Sequence, residues 1–477
     1  MYKKHDQLQI DDFIFPYGEL DQNNEWITLA GLIPWEAIEK KYASNFVNNG
    51  HPAHPCRMAL GALIIKQTLD CSDAWTVRHI SENPYLQYFI GLKAYQSTCP
   101  FGESTMVAFR KRFSEEDLTA INEMIIAEKG KSDDDSHDEP KGTPPSQADG
   151  PEEGEGYSHE GTLILDATCA PADIRYPQDL SLLNEARKNL EAIMDSLHEQ
   201  TTGKIKPRNY RKQALKAYQR ISKKRRKGSK EIRKGIRRQL GYLRRDIAII
   251  ADYLEEGTNL GPRQQQRLET ILELYAQQQA MYDAKSHTIP DRIVSLSQHW
   301  VRPIVRGKVT AKTEFGSKLH LSVTDGYSRI ERLDFDAYNE ADELKNAVES
   351  YCKRIGHYPE RILADKIYRN RENLRYCKEK QIAITGPRLG RPPKNDQEDK
   401  KQAYSDLCER NTIEGRFGTA KQSYGMGRIK ARLKETSVTV IYLSVIVLNL
   451  RKRLAAFLWR FFGWPIQMPL LTSFIFE

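Results

Sequence analysis

Apolar side chains recur three and four residues apart over 26–126, with Leu60, Leu63, Ile64 and Leu69 among them, and this spacing predicts amphipathic helices. The segment STMVAFRKRF reads as one of these helices, opened by Ser104 as its cap. The period then changes. TLILDAT is a short apolar run with polar flanks, which predicts a buried strand ending near Asp166. From Ser181 to about Met281 the helical period returns in three long segments, as in paired amphipathic helices. KVTAKTEFGSKLHLSVTDGYSRIERLDF alternates about Asp325 and Gly326, a hairpin signal. The helix ELKNAVESYCKRIG, the strand RILAD, the helix RENLRYCKEKQ, the strand AITG and a helix from roughly Arg410 to Ser423 follow. That order predicts a mixed α/β layer around a central sheet.

Composition divides this pattern further. Between Gly130 and Glu160 stand ten acidic residues against two lysines, mixed with Pro, Gly and Ser, so no core can offset the entropy of ordering and a disordered linker is expected. Near the C-terminus the apolar run from Val438 to Leu450 falls short of the roughly 18 residues a membrane span needs. Arg451, Lys452 and Arg453 interrupt it, which favours a packed helix. The resulting division is a helical N-terminal domain over 1–126, an acidic linker over 127–160, an α/β domain from 161–180 and 300–435, a helical insertion over 181–299, and an apolar helix and tail over 436–477.

The seven cysteines are scattered and form no C-x-x-C pair, which argues against a disulfide framework or a zinc site. No apolar stretch of signal-peptide length opens the chain, so a cytoplasmic setting is expected. Net charge is +9, compatible with a polyanionic partner without specifying one. Distribution says more: 204–245 holds nineteen Lys or Arg against Glu231 alone, with Tyr210, Tyr218 and Tyr242 interleaved. One-signed charge of this density predicts contact with a nucleic-acid backbone, with Lys223, Lys224, Arg225, Arg226 and Lys227 as candidates, giving affinity without sequence choice.

Three carboxylates carry the candidate chemistry. Asp166 and Asp365 each end a predicted buried strand, an expensive place for a charge unless something pairs with it or binds it, and Glu414 lies on a helix able to cross the same sheet edge. Such oxygens suit hard divalent cations, and two cations together can activate a nucleophile and stabilise a leaving oxyanion on phosphorus. A lone Asp after a strand is usually a turn or cap residue, so the weight lies on the three in combination. Asp173, Asp325 and Asp334 compete for a metal role, although Asp325 belongs to the hairpin turn. His51 and His54 in GHPAHP lack a Cys or acidic partner at ligand spacing and are expected in a surface loop. Arg110, Lys111 and Arg112 close their helix as a DNA-contacting or merely dipole-complementing basic end.

LILDAT, ILADKIYRNRENL and RNTIEGRFGTAK resemble the three catalytic blocks of the DDE transposases of bacterial insertion sequences, most nearly the group called insertion sequence family five. The resemblance implies a ribonuclease-H-like catalytic fold with a helical N-terminal DNA-binding domain, and puts the acidic triad on Asp166, Asp365 and Glu414. Related transposases carry Tyr, two residues, Arg, three residues, Glu, six residues, Lys. Arg410, Glu414 and Lys421 keep the last three at that spacing, while Leu407 takes the tyrosine's place and Tyr404 lies one helical turn earlier. Arg410 and Lys421 are then candidates to hold DNA phosphates, against a bland reading as a solvated ion-pair face. The implied activity is cleavage at element ends and strand transfer into target DNA. It would use Mg²⁺, with Mn²⁺ able to substitute, and double-stranded DNA bearing terminal inverted repeats, acted on by a homodimer associated with the bacterial nucleoid and no membrane. A nuclease that never joins DNA and a DNA-binding protein with a decayed centre are the alternatives.

Overall fold

In a computed structural model, residues 9–46, 52–127, 157–305, 313–386 and 397–462 are described, apart from positions 17, 202 and 204. The helical period of the first segment becomes α1 (Glu25–Leu32), α2 (Trp35–Ala43), α3 (Cys56–Leu69), α4 (Asp73–Glu82), α5 (Pro84–Phe89), α6 (Glu103–Lys111) and α7 (Glu115–Ala127). Ser72 caps α4 by accepting from the Trp75 N–H, and Asn83 caps α5, with Pro84 in the first turn. The cap expected at Ser104 is not one: α6 starts at Glu103 behind an extended Gly102, and Ser104 is already inside the helix. A carboxylate in that first turn complements the helix dipole without a side-chain cap.

Strand β1 (Thr162–Pro171) is followed by the four helices α8 (Asp179–Glu199), α9 (Arg211–Ser222), α10 (Ser229–Glu255) and α11 (Pro262–Asp283). Then come β2 (Arg302–Val305), β3 (Thr313–Thr324), β4 (Tyr327–Asp334), α12 (Leu344–Ile355), β5 (Arg361–Leu363), α13 (Arg371–Glu379), β6 (Ala383–Ile384), α14 (Gln397–Ser423) and α15 (Lys434–Phe462). The hairpin β3–β4 turns on Asp325 and Gly326 at φ of 52° and 73°, the pair of left-handed residues that a tight primed turn requires.

The six strands among the described residues form one sheet. β1 lies antiparallel to β3, β5 runs parallel beside β1, and β6 runs parallel beside β5. The far edge of β3 is shared, with β2 on Thr313–Gly316 and β4 on Lys318–Thr324. β1 does not stop near Asp166 as expected. It continues to Pro171, because β3 offers partners along its whole length, and Asp166 sits in mid-strand opposite Leu321. One face of β1, through Ile164 and Ala170, packs with Ile413, Phe417 and Ala420 of α14. The other, through Leu163 and Leu165, packs with Leu344, Ala347 and Val348 of α12.

The apolar run around Val438–Leu450 belongs to α15, and it is not a separate C-terminal element in packing terms. Val438, Leu443, Ile446, Val447 and Leu450 share one core with the N-terminal helices. The basic residues that interrupt the run tie it down: Arg453 donates to the carbonyls of Leu32 and Ile125, and Arg451 pairs with Glu25. Among the described residues no helix is long and apolar enough to cross a membrane. The acidic linker over 127–160 falls almost entirely outside the described residues, as do the loop after Gly386 and the tail past Phe462. α8 to α11 build a core of their own around Leu183, Leu190, Leu243, Ile271 and Leu274.

Candidate active site

α14 is pinned across β1 and β5 from both ends. Arg361 of β5 donates to Asp406 at 2.9 Å and Glu409 at 2.6 Å, and Lys421 donates to the Thr168 hydroxyl of β1 at 2.9 Å. Buried Ile413 and Phe417 fix the helix rotation, which turns Arg410 toward Asp365 past the end of β5, with Glu414 beside it. β5 ends at Leu363, and two residues later Asp365 caps a short 3-10 turn by accepting from the Lys366 N–H.

One guanidinium joins two of the candidate acids. Arg410 Nη1 is 3.8 Å from Asp365 Oδ1 and its Nη2 is 3.8 Å from Glu414 Oε1. The arginine side chain is only 19% exposed while Asp365 and Glu414 are 56% and 58% exposed, so the acids open to solvent over a largely buried cation. The third acid differs. Burial pushes the Asp166 carboxyl up to about 6, against the hydrogen bond it accepts from the Ala167 N–H; Glu340 and Asp365 add to the rise and Arg410 opposes it. Asp166, Asp365, Glu414 and Arg410 therefore share one electrostatic neighbourhood. They do not form a closed ligand cage: among the described residues no three His, Cys, Asp or Glu side chains could hold a metal ion as placed. Arg410 stands between two of the acids, where a cation would neutralise the same charge. The donor set, three carboxylates with two exposed and one destabilised as an anion, matches what a hard divalent ion binds.

Glu340, which no motif marks, acts electrostatically on Asp166 from a short 3-10 segment in which it pairs with Lys318 at 2.9 Å. Leu407 and Tyr404, the departures from the family spacing, are 47% and 70% exposed on α14. On the opposite face of the sheet His320 stacks on Tyr368 with ring centroids 5.7 Å apart. Burial pulls that imidazole down to about 4, and among the described residues neither its nitrogens nor the Tyr368 hydroxyl has a hydrogen-bond partner.

The competing acids have other duties. Asp173 pairs with Arg428, Asp334 pairs with Arg332 at 2.8 Å, and Asp325 makes the hairpin turn. His51 is outside the described residues. His54 sits in a loop as expected but is half-buried: its ring packs edge-on to Phe101 and Phe109, and burial lowers its pKa. Arg110 is no solvated helix end either, being buried in a bidentate pair with Asp73.

In the insertion Lys223, Lys224, Arg225 and Arg226 are exposed in the turn between α9 and α10, with Lys227 half-buried behind them. The charge there is less one-signed than its sequence window suggests. Lys224 pairs with Glu231 at 2.8 Å, and α8 supplies acids from outside the window: Asp195 takes Lys206 and Arg211, each at 2.8 Å, and Glu191 takes Arg211 at 3.2 Å.

Two stretches of the chain match known families. Residues 362–451 match a family described as a transposase DDE domain, and residues 16–112 match one described as a transposase domain. Both matches support reading the chain as an insertion-sequence DDE transposase, and neither singles out the family five group. The DDE match takes in Asp365, Arg410, Glu414 and Lys421, whereas Asp166 lies outside both. A relative in Rhizobium meliloti, an uncharacterized protein described as ORF8 in the nfe locus, is 35% identical over 95 residues, 20% of this chain and 46% of that protein. The chain thus spans about half the length of that relative. No solved structure matches.

Proposed function

We propose that this chain is a transposase that nicks double-stranded DNA at the ends of a mobile element and joins the freed 3′ ends to target DNA, with Asp166, Asp365 and Glu414 as its acidic centre. The observation that carries the reading is the placement of Arg410 at 3.8 Å from both Asp365 and Glu414, which brings two distant sequence blocks together within electrostatic reach of the half-buried Asp166. A ribonuclease-H-like reading of the fold draws support from the strand order, in which three antiparallel strands are followed on the other side of β1 by two parallel ones.

The three carboxylates would hold two Mg²⁺ ions, with Mn²⁺ able to replace them. When bound, the ions supply an activated nucleophile and charge stabilisation at the leaving oxygen. The chain's own groups do the rest. Asp166 is positioned by its pairing with Leu321 of β3, two residues past the point where β1 stops pairing with β5, and at neutral pH a group titrating near 6 is mostly ionised. Asp365 and Glu414 face solvent and can meet DNA from outside. Arg410 would be freed from the two acids by a bound cation and could then grip a phosphate in bidentate fashion, and Lys421 lies about three helical turns beyond it along the same crossing. Lys223, Arg225 and Arg226 would add affinity for flanking backbone without reading sequence. Two copies acting on paired inverted repeats complete the reading.

A DNA-binding protein without cleavage is the second reading, favoured by the open arrangement of the acids. A labelled duplex carrying the element's inverted repeats separates them. Wild type in Mg²⁺ is expected to nick and then join, and Asp365→Asn to bind the duplex without cutting it. Cleavage retained in Asp365→Asn would overturn the assignment, and nicking without joined products would reduce the protein to a nuclease.

A further inference from the structure

α10 carries two glycines that contrast. Gly235 faces inward, where a Cβ would meet Ile221 at 2.6 Å and Leu180 at 3.1 Å, so helix packing demands it. Gly241 faces outward with nothing within 4 Å of a Cβ, so packing gives no reason for a residue that weakens a helix interior. What surrounds Gly241 is charge. A recess of about 370 Å³ is lined by Lys234, Arg237, Arg238, Arg244 and Arg245, at i, i+3, i+4, i+10 and i+11 on the face opposite the buried Gln239, Leu243 and Asp246. Among the described residues Lys234, Arg237, Arg238 and Arg244 have no ion-pair partner. The acids of this half of the helix are engaged elsewhere, Glu231 with Lys224 and Asp246 in the core. Arg245 lies over the Tyr210 ring at 4.3 Å, which holds it at the recess edge.

We propose that this notch seats the phosphodiester backbone of duplex DNA, with Gly241 omitting a side chain so that a phosphate can approach the helix surface between the arginines. The inference rests on the transposase reading for the identity of its polyanion. Duplex is favoured over a single strand because the face lacks an open stacking platform: Tyr242 is half-buried, and Tyr210 is covered by Arg208 and Arg245. From Lys234 to Arg245 the stripe is about 16 Å long, enough to follow several phosphates of one strand. It lies beyond the α9–α10 turn and so adds a second contact surface to the insertion.

The test is binding of the full chain to a fluorescent duplex of random sequence, measured across a series of salt concentrations. Gly241→Leu is expected to melt no lower than wild type, yet to bind DNA roughly tenfold more weakly, the equivalent of one lost charge-assisted contact. The triple variant Arg237→Gln, Arg238→Gln, Arg244→Gln should lower the salt slope by about 3, near 0.9 for each phosphate released. Better folding with worse binding is an outcome that a purely structural glycine cannot produce. Unchanged affinity and slope in both variants, beside normal wild-type binding, would overturn the notch and leave the transposase reading standing. A wild type that ignores duplex DNA overturns both, and equal capture of single-stranded RNA overturns the choice of duplex.

Discussion

Two aspartates, Asp166 half-buried in the sheet and Asp246 buried in the helical insertion, show how differently this chain uses the same unfavourable group. Asp246 of α10 is 4% exposed, and burial lifts its carboxyl to about 7, helped by Glu191 and opposed by Arg187, Arg245 and Arg211. Its surroundings are closed: Arg187 is fully buried and pairs with Glu191 on α8, and Arg211 reaches in from α9. Asp166 is lifted by burial to about 6, but its charged neighbours Asp365 and Arg410 stand at a solvent-facing edge. A raised carboxyl alone therefore does not mark a site. The access of its neighbours to an outside ligand separates a structural knot from a candidate centre.

The sharpest way to break this comparison is to neutralise one acid in each region and measure strand cleavage. Glu414→Gln is expected to lower the cleavage rate by about a hundredfold or more, the scale of losing one transition-state contact, while Asp246→Asn leaves it within about twofold. Equal losses would show that the insertion's aspartate also belongs to the chemistry. Stability gives the next largest effect. Ile413→Ala, at a fully buried position beneath Glu414, should cost about 2–4 kcal/mol in denaturant unfolding, against changes within about 0.5 kcal/mol for Arg225→Gln at the exposed turn.

The acids also differ in how they couple folding to pH. A carboxyl whose pKa rises on folding holds its proton more tightly in the folded chain, so its contribution is intact below the unfolded value of 3.8 and is lost as pH climbs through the folded one. Wild type should therefore lose stability between about pH 4 and 7 from Asp246, and Asp246→Asn should flatten that part of the profile. A profile that Asp246→Asn leaves unchanged would mean the arginines fully compensate the burial. The smallest effect belongs to the turn: Arg225→Gln with Arg226→Gln should reduce the salt slope of DNA binding by about 2 without moving the unfolding midpoint. An unaltered slope would make those residues solvated surface.

What the chain's pattern made visible was local. The hairpin was legible because Asp325–Gly326 can satisfy its turn geometry within four residues, and the helices of the insertion because their apolar stripes repeat over many turns. What it hid depended on partners far away in sequence. The extra length of β1 comes from β3, some 150 residues later. α14 begins at Gln397, well before Arg410, in a polar stretch with no apolar period to announce it. α15 was recognisable as packed, yet its true neighbours, the N-terminal helices, leave no trace in its own composition. At the candidate site the three acids and Arg410 are each marked by sequence spacing. Their arrangement is not, because Arg361, which ties β5 to α14, and Glu340, whose charge acts on Asp166, carry no motif of their own.

The most direct measurement is calorimetric titration of Mn²⁺ into the full chain held on an end-nicked duplex, for wild type and for Asp166→Asn. The account predicts two ions bound per wild-type chain and loss of that binding in the variant, with DNA affinity retained. Identical metal binding by wild type and Asp166→Asn would contradict it.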